Sequence, residues 1–186
     1  SDGFGREIQN KLSVEPGKAW VKQPDGSFEE EDVTERWLTS GRTVYNNKQK
    51  PVKQYEPFYS GTHAYQDEEF VATFGVTPII HYDPLLRVVQ TDLPDGNFTK
   101  VEFTPWVVLT YDQNDTKEGH EHFNTPSVAF LDTLGRQYKV QEYLAAPTEF
   151  TPLNRDDDVN VLVTTTTFDI TGKPVTVTDP RGNTAF

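Results

Sequence analysis

Apolar and polar positions alternate with period two along several stretches of the chain. Val159, Val161 and Val163 alternate with Asn160, Leu162 and Thr164 and lead into a run of threonines, Thr164 to Thr167. Val175 and Val177 alternate with Thr176 and Thr178 in the same way. β-Branched residues at this period predict strands with one drier and one wetter face. The 13 prolines and 12 glycines fall mostly at the ends of such runs, where they set turns. No long window carries a helical stripe. The best candidate, Glu29 to Leu38, has Asp32 as a cap and Val33, Trp37 and Leu38 on one side, and predicts a short helical turn at most.

The strand-like runs are separated by a recurring phrase. It reads "SDGFGRE" with Asp2, Gly5 and Arg6, and "VYNNKQKPV" with Asn46 and Lys50. It returns as "HYDPLLRVV" with Tyr82, Asp83 and Arg87, and as "AFLDTLGRQY" with Asp132, Gly135 and Arg136. A fifth copy, "TFDITGKPV", has Asp169, Gly172 and Lys173. Each places an Asp or Asn four residues before an Arg or Lys. A second phrase follows some copies: "QPDGSF", "LPDGNF" and "DPRGNTAF". Asp83 to Pro94 and Asp169 to Pro180 are both eleven residues. The first positions of the five copies lie 44, 37, 49 and 37 residues apart, which describes a degenerate repeat with loop insertions.

Both phrases predict tight turns. An Asp or Asn side chain accepts hydrogen bonds from amides just downstream, and Gly takes the positive φ that the reversal needs. Leu86 stands where the other turns have Gly and is expected to strain or reshape its turn. The Arg or Lys that ends the phrase is expected to lie over a neighbouring aromatic ring or to pair with the acid of its turn. Turn, strand, turn, strand is a hairpin unit. Repeated hairpins extend a sheet, which right-handed twist then curls.

Composition narrows the function. The 186 residues carry a net charge of -12, which argues against a nucleic-acid partner and against docking on anionic membrane through a basic patch. Membrane insertion by this segment is not expected, since no apolar run reaches membrane-spanning length. There is no cysteine, so disulfides, thiolate metal sites and cysteine nucleophiles are excluded. There is also no methionine, and with the abrupt start at Ser1 this leads us to expect an excised fragment.

Three groups are candidates for chemistry. His120 and His122 would face the same way on a strand and could share a metal with His81 or His63, although a polar surface loop from Asp115 to Pro126 is the expectation. Asp156, Asp157, Asp158 and Asn160 offer oxygen ligands but lack the remaining pattern of a calcium loop. Trp20, Trp37, Trp106, Tyr55, Phe58 and Tyr59 could form a sugar-stacking platform. Cross-strand packing is the expected role, and Trp106, after Pro105 in a strand-like run, suits packing more than display.

The phrases "YDPLLR", "LDTLGR", "FDITGK" and "DPRGN" resemble the YD-repeat (Rhs) family. Residues 36 to 115 are the most specific part. There "RWLTSGRTVYNNKQKPVKQYEPFYS" and "GVTPIIHYDPLLRVVQTDLPDGNFTKVEFTPWVVLTYDQND" resemble the C-terminal part of the B component of bacterial insecticidal toxin complexes. The resemblance implies an all-β fold in which hairpin after hairpin joins one curved, mostly antiparallel sheet, with residues 1–186 a single segment of a shell. It implies a secreted, extracellular virulence factor whose B component, with a C component, encloses a toxic polypeptide until delivery. A β-propeller in that family docks on the pore-forming A component, and no propeller sequence is visible here. The family's aspartate autoprotease belongs to the C component, so no catalytic residue, enzyme activity or cofactor is implied for this chain. The rival expectation is an extracellular β-sandwich for adhesion or glycan binding. A metal-dependent hydrolase at His120 and His122 is a third.

Overall fold

The computed structural model describes residues 1, 3–40, 42–72, 75–144 and 160–185. The chain is all-β: sixteen strands and two short helices are found among the described residues. It divides into two compact units, residues 1–86 with 92–95, and residues 87–91 with 96–186.

The first unit opens with β1 (Lys11–Val14), β2 (Gly17–Lys22), β3 (Phe28–Val33) and β4 (Arg36–Thr39), and continues through β5 (Thr43–Tyr45), β6 (Pro51–Gln54) and β7 (Phe58–Ser60). Helix α1 (Glu68–Ala72) and β8 (Ile79–Tyr82) complete it. Five of its strands form a sheet in the order β1-β4-β7-β2-β3, while β5, β6 and β8 pair separately in that order. The stretch expected to make a helical turn, Glu29 to Leu38, is instead β3 and β4. Its spacing of Val33, Trp37 and Leu38 imitates a helical face, but pairing with β2 and β1 claims the backbone.

The core of this unit joins helix to sheet. Tyr55, Phe58, Phe70 and Val71 are buried together, with Trp20, Phe28 and Val44 packed against them. Asp67 caps α1 by accepting from the Phe70 amide at 3.1 Å. Phe70 then meets Phe28 edge-on, with ring centroids 4.5 Å apart. The chain leaves this helix region at Gly75, whose amide lies 2.6 Å from the Val71 carbonyl.

The second unit is a run of hairpins: β9 (Val88–Asp92), β10 (Phe98–Phe103), β11 (Val107–Tyr111), β12 (Ser127–Leu131), β13 (Gln137–Tyr143), β14 (Val161–Phe168), β15 (Pro174–Thr178) and β16 (Thr184–Ala185). They lie side by side in chain order, each antiparallel to the next from β10 onward. Alternation decides which face is dry. Val107, Leu109, Val128, Phe130, Tyr143 and Val161 form one buried cluster, and fully burying such a side chain stabilises the fold by about 1.5–3 kcal/mol. On the same face Lys139 pairs with Thr165 and Thr178 with Thr165 and Thr184, so the apolar face gives way to threonine toward β16.

Candidate functional site: the hairpin turns

The recurring phrase forms one kind of turn. In residues 132–136 the Asp132 amide donates to the Arg136 carbonyl and the Gly135 amide donates to the Asp132 carbonyl, both at 2.9 Å. Asp132 Oδ1 accepts from the amides of Leu134 and Arg136, also at 2.9 Å. Gly135 holds φ 75°. This is a three-residue hairpin loop closed by a residue in the left-handed region, and the register shifts at Phe130/Leu131 beside it. Residues 169–173 repeat it, with Asp169 accepting from the Thr171 and Lys173 amides and Gly172 at φ 86°. Residues 46–50 repeat it with Asn46 as acceptor. Asp179 to Asn183 makes the same bonds, so "DPRGN" and the first phrase are one turn chemistry.

Glycine is dispensable to the shape. Leu86 takes φ 66° and Gln49 takes φ 64°, and in both turns the fourth amide still reaches the first carbonyl at 2.9 Å. The substitution expected to strain or reshape the turn therefore strains the residue and leaves the loop closed. Gly5 is likewise left-handed, at φ 79°, while Asp2 lies outside the described residues.

Hydrogen bonds within each turn, from amides and side chains, shift these carboxylates below the ordinary carboxylate value. Asp132 is shifted below the ordinary carboxylate value, chiefly by the Arg136 amide. Asp169 is shifted the same way by the Thr171 hydroxyl first and the Lys173 amide second. In Asp179 the Asn183 side chain leads.

In three copies the arginine that ends the phrase lies over an aromatic ring, and for Arg6 and Arg136 that ring stands directly before the next turn's Asn or Asp. Arg136 donates to Asp132 Oδ2 at 2.7 Å, and its guanidinium carbon lies 4.7 Å from the centre of the Phe168 ring, the residue just before Asp169. Arg6 lies 4.0 Å from the centre of Tyr45, just before Asn46. Arg87 lies 4.1 Å from the centre of Phe103, at the bend into β11. Tyr82 makes the equivalent tie through its hydroxyl, which donates to the Pro51 carbonyl at 2.8 Å. Lys48 reaches the Pro84 carbonyl at 3.5 Å. The aromatic before the Asp is thus a docking surface for the preceding turn, a role signalled in the sequence by Tyr45, Tyr82 and Phe168 at one shared position.

The other candidates do not assemble into a site. His120 and His122 lie in turns rather than on a strand, with ring centres 5.6 Å apart. His81 is engaged with Asp92 at 2.7 Å, and His63 lies beside Trp37. Among the described residues no three His, Asp or Glu side chains gather as a metal would need. Asp156, Asp157 and Asp158 lie outside the described residues, as does Val159.

The segment expected to be a polar surface loop, Asp115 to Pro126, is a run of largely exposed bends and turns that is anchored at its two ends. Helix α2 (Gln113–Thr116) has a capping box in which Asp112 and Asp115 accept from each other's end of the turn. Asp115 is buried and accepts from the Thr125 hydroxyl at 2.7 Å. A cavity of about 320 Å³ beside it is lined by Thr110, Asp112, Asp115, His122, Glu142 and Tyr143, among others.

The aromatic residues divide between packing and exposure. Tyr55 and Phe58 are core residues, and Tyr59 is covered by Arg36 at 3.5 Å. Trp106 corrects our expectation: it is 56% exposed, because Pro105 places it in the bend after β10 rather than within a strand.

The chain superposes on TcdB2-TccC3 with a TM-score of 0.83 and 28% identity, over 97% of this chain and 9% of that one. The fold is the Rhs-type fold of a toxin-complex B/C chain. The same match is found to the TcdB2-TccC3-Cdc42 structure, at a TM-score of 0.83 and 27% identity. It is found again in the Tc holotoxin pore of Photorhabdus luminescens, at 0.82 and 29%. In both cases 97% of this chain is covered, and it spans 9% of the length of the chain it matches. No family model and no curated protein matches the sequence.

Proposed function

We propose that residues 1–186 are one continuous segment of the wall of a toxin-complex B component, from its C-terminal part, built of YD-repeat hairpins. The wall, closed by a C component, encloses a toxic polypeptide and shields it until delivery. The complex is secreted and contributes to virulence, and docking to the pore-forming A component falls to a propeller outside this sequence. In this reading the segment has no enzyme activity, holds no cofactor, binds no nucleic acid and does not enter a membrane. Its contribution is mechanical: the turn residues Gly5, Arg6, Asn46, Lys50, Tyr82, Asp83, Arg87, Asp132, Gly135, Arg136, Asp169, Gly172 and Lys173, with Asp2, keep successive hairpins in register.

The observation that carries the reading is the superposition of 97% of the chain on TcdB2-TccC3 at 28% identity. The strongly acidic composition supports it against a nucleic-acid role. The test is co-purification of the parent chain with its C component. A single closed complex is expected, and deletion of residues 1–186 should prevent it. Equal assembly without these residues would overturn the assignment.

A further inference from the structure

The five-stranded sheet of the first unit ends at β3, which has no strand on its outer side among the described residues. The direction of its backbone follows from its neighbours. The Trp20 carbonyl on β2 accepts from the Gly61 amide at 3.2 Å, and Trp20 pairs with Ser60 of β7. Both backbone groups of one strand residue point the same way, so Trp20 faces β7 and not β3. Glu30, which sits opposite Trp20, therefore turns its amide and carbonyl outward, and Phe28 and Asp32 follow by the two-residue period. The edge offers an open ladder of donors and acceptors.

The side chains on that ladder decide what can use it. Glu29, Glu30, Glu31 and Asp32 are all exposed. Among the described residues only Glu31 of these four has a side-chain hydrogen bond, from Gln23 at 2.5 Å. Glu30 and Asp32 stand on one face and Glu29 and Glu31 on the other, so a strand added here meets negative charge on both faces. A second copy of β3 laid antiparallel would oppose acid to acid, which is destabilising. The charge guards the edge against its own kind, as edge strands commonly require. It leaves the edge open to one class of partner.

We propose that β3 is a strand-addition site for an extended polypeptide segment carrying consecutive Lys or Arg residues, held by the outward backbone of Glu30 and Asp32 and selected by the carboxylates on both faces. The main-chain ladder supplies the docking geometry and alternate side chains supply the selection. The proposal stands on the edge geometry of the described residues and goes beyond the shell reading.

The test uses the full chain and a blocked hexapeptide, Val-Lys-Arg-Lys-Lys-Thr, with its all-Glu counterpart as control. Binding of the basic peptide is expected, together with slowed hydrogen exchange at the Glu30 and Asp32 amides. The charge variant E29Q/E30Q/E31Q/D32N is expected to weaken binding by about tenfold or more. E30P removes one outward N–H while keeping three of the four carboxylates, at an edge position that tolerates proline, and is also expected to weaken binding. Absence of binding overturns the proposal. So does binding that leaves the Glu30 and Asp32 amides unprotected, which would be charge attraction without a strand. That exchange measurement decides the matter even where E30P fails to fold.

Discussion

At the residue scale the chain is organised by what each hairpin loop demands of its fourth position. A left-handed residue with a side chain costs roughly 1–2 kcal/mol relative to its ordinary conformation, and Gly avoids most of that. Gln49 is exposed and left-handed at φ 64°. Gln49→Gly is therefore expected to stabilise the protein by about 0.5–1 kcal/mol, read from the urea midpoint at unchanged slope. A lower midpoint would show that the Gln49 side chain does something the turn geometry does not reveal. Lys11 and Tyr111 contribute to the alkaline pH dependence with opposite signs. The Lys11 ammonium donates to Gln66 Oε1, the Thr62 carbonyl and Ser60 Oγ, all neutral acceptors, and burial lowers its pKa from 10.5 to about 8. The folded state thus gives up a proton that the unfolded chain keeps, and this group's contribution rises as pH goes from about 8 to 10.5. The Tyr111 hydroxyl is raised from 10.0 to about 12, by burial first and by Glu102 and Asp115 next. Its contribution is full below pH 10 and is lost as pH climbs toward 12. Unfolding free energies of the native chain and Lys11→Met, compared from pH 7.5 to 10.5, should diverge in favour of the native chain. Parallel curves would contradict the burial assigned to Lys11.

At the scale of elements, the close approach of Gly75 to the α1 region is the sharpest constraint. A Cβ there would lie 2.5 Å from the Val71 carbonyl oxygen and 2.7 Å from Tyr55 Cδ1. Gly75→Ala is expected to cost about 1–3 kcal/mol through overpacking, measured by thermal or urea unfolding. A neutral outcome would mean that the Tyr55–Val71 contact gives way freely. The hairpins themselves were legible in the sequence, because Asp132 to Arg136 and its relatives carry their own chemistry within five residues. The tie between turns was half legible: an Arg over an aromatic was expected, but which Arg meets which ring, Arg6 with Tyr45 and Arg136 with Phe168, needed coordinates. The order β1-β4-β7-β2-β3 had no local signal, since β1 meets β4 and β2 meets β7 across long stretches of chain. Within Glu29 to Leu38, the pairing of β4 with β1 is equally non-local, which is why that end of the stretch could pass for a helical turn. The packed loop after Asp112 was hidden because its partners, Asp115 and Thr125, are ten residues apart.

At the scale of the whole molecule, the second unit repeats one operation, laying each new strand beside the last. Turn tips such as Leu134 and Ile170 remain exposed at 74% and 104%, while the Asp of each turn is satisfied internally. Among the described residues this plan extends a surface strand by strand, the form that the proposed wall needs. Enclosure is the proposed function, and protease protection tests it most directly. The parent chain would be produced with its C component and a tagged cargo, and cargo digestion followed before and after mild denaturation. Enclosure predicts cargo that survives until the complex is opened. Cargo cut at once, inside a complex that is demonstrably folded and assembled, would contradict it.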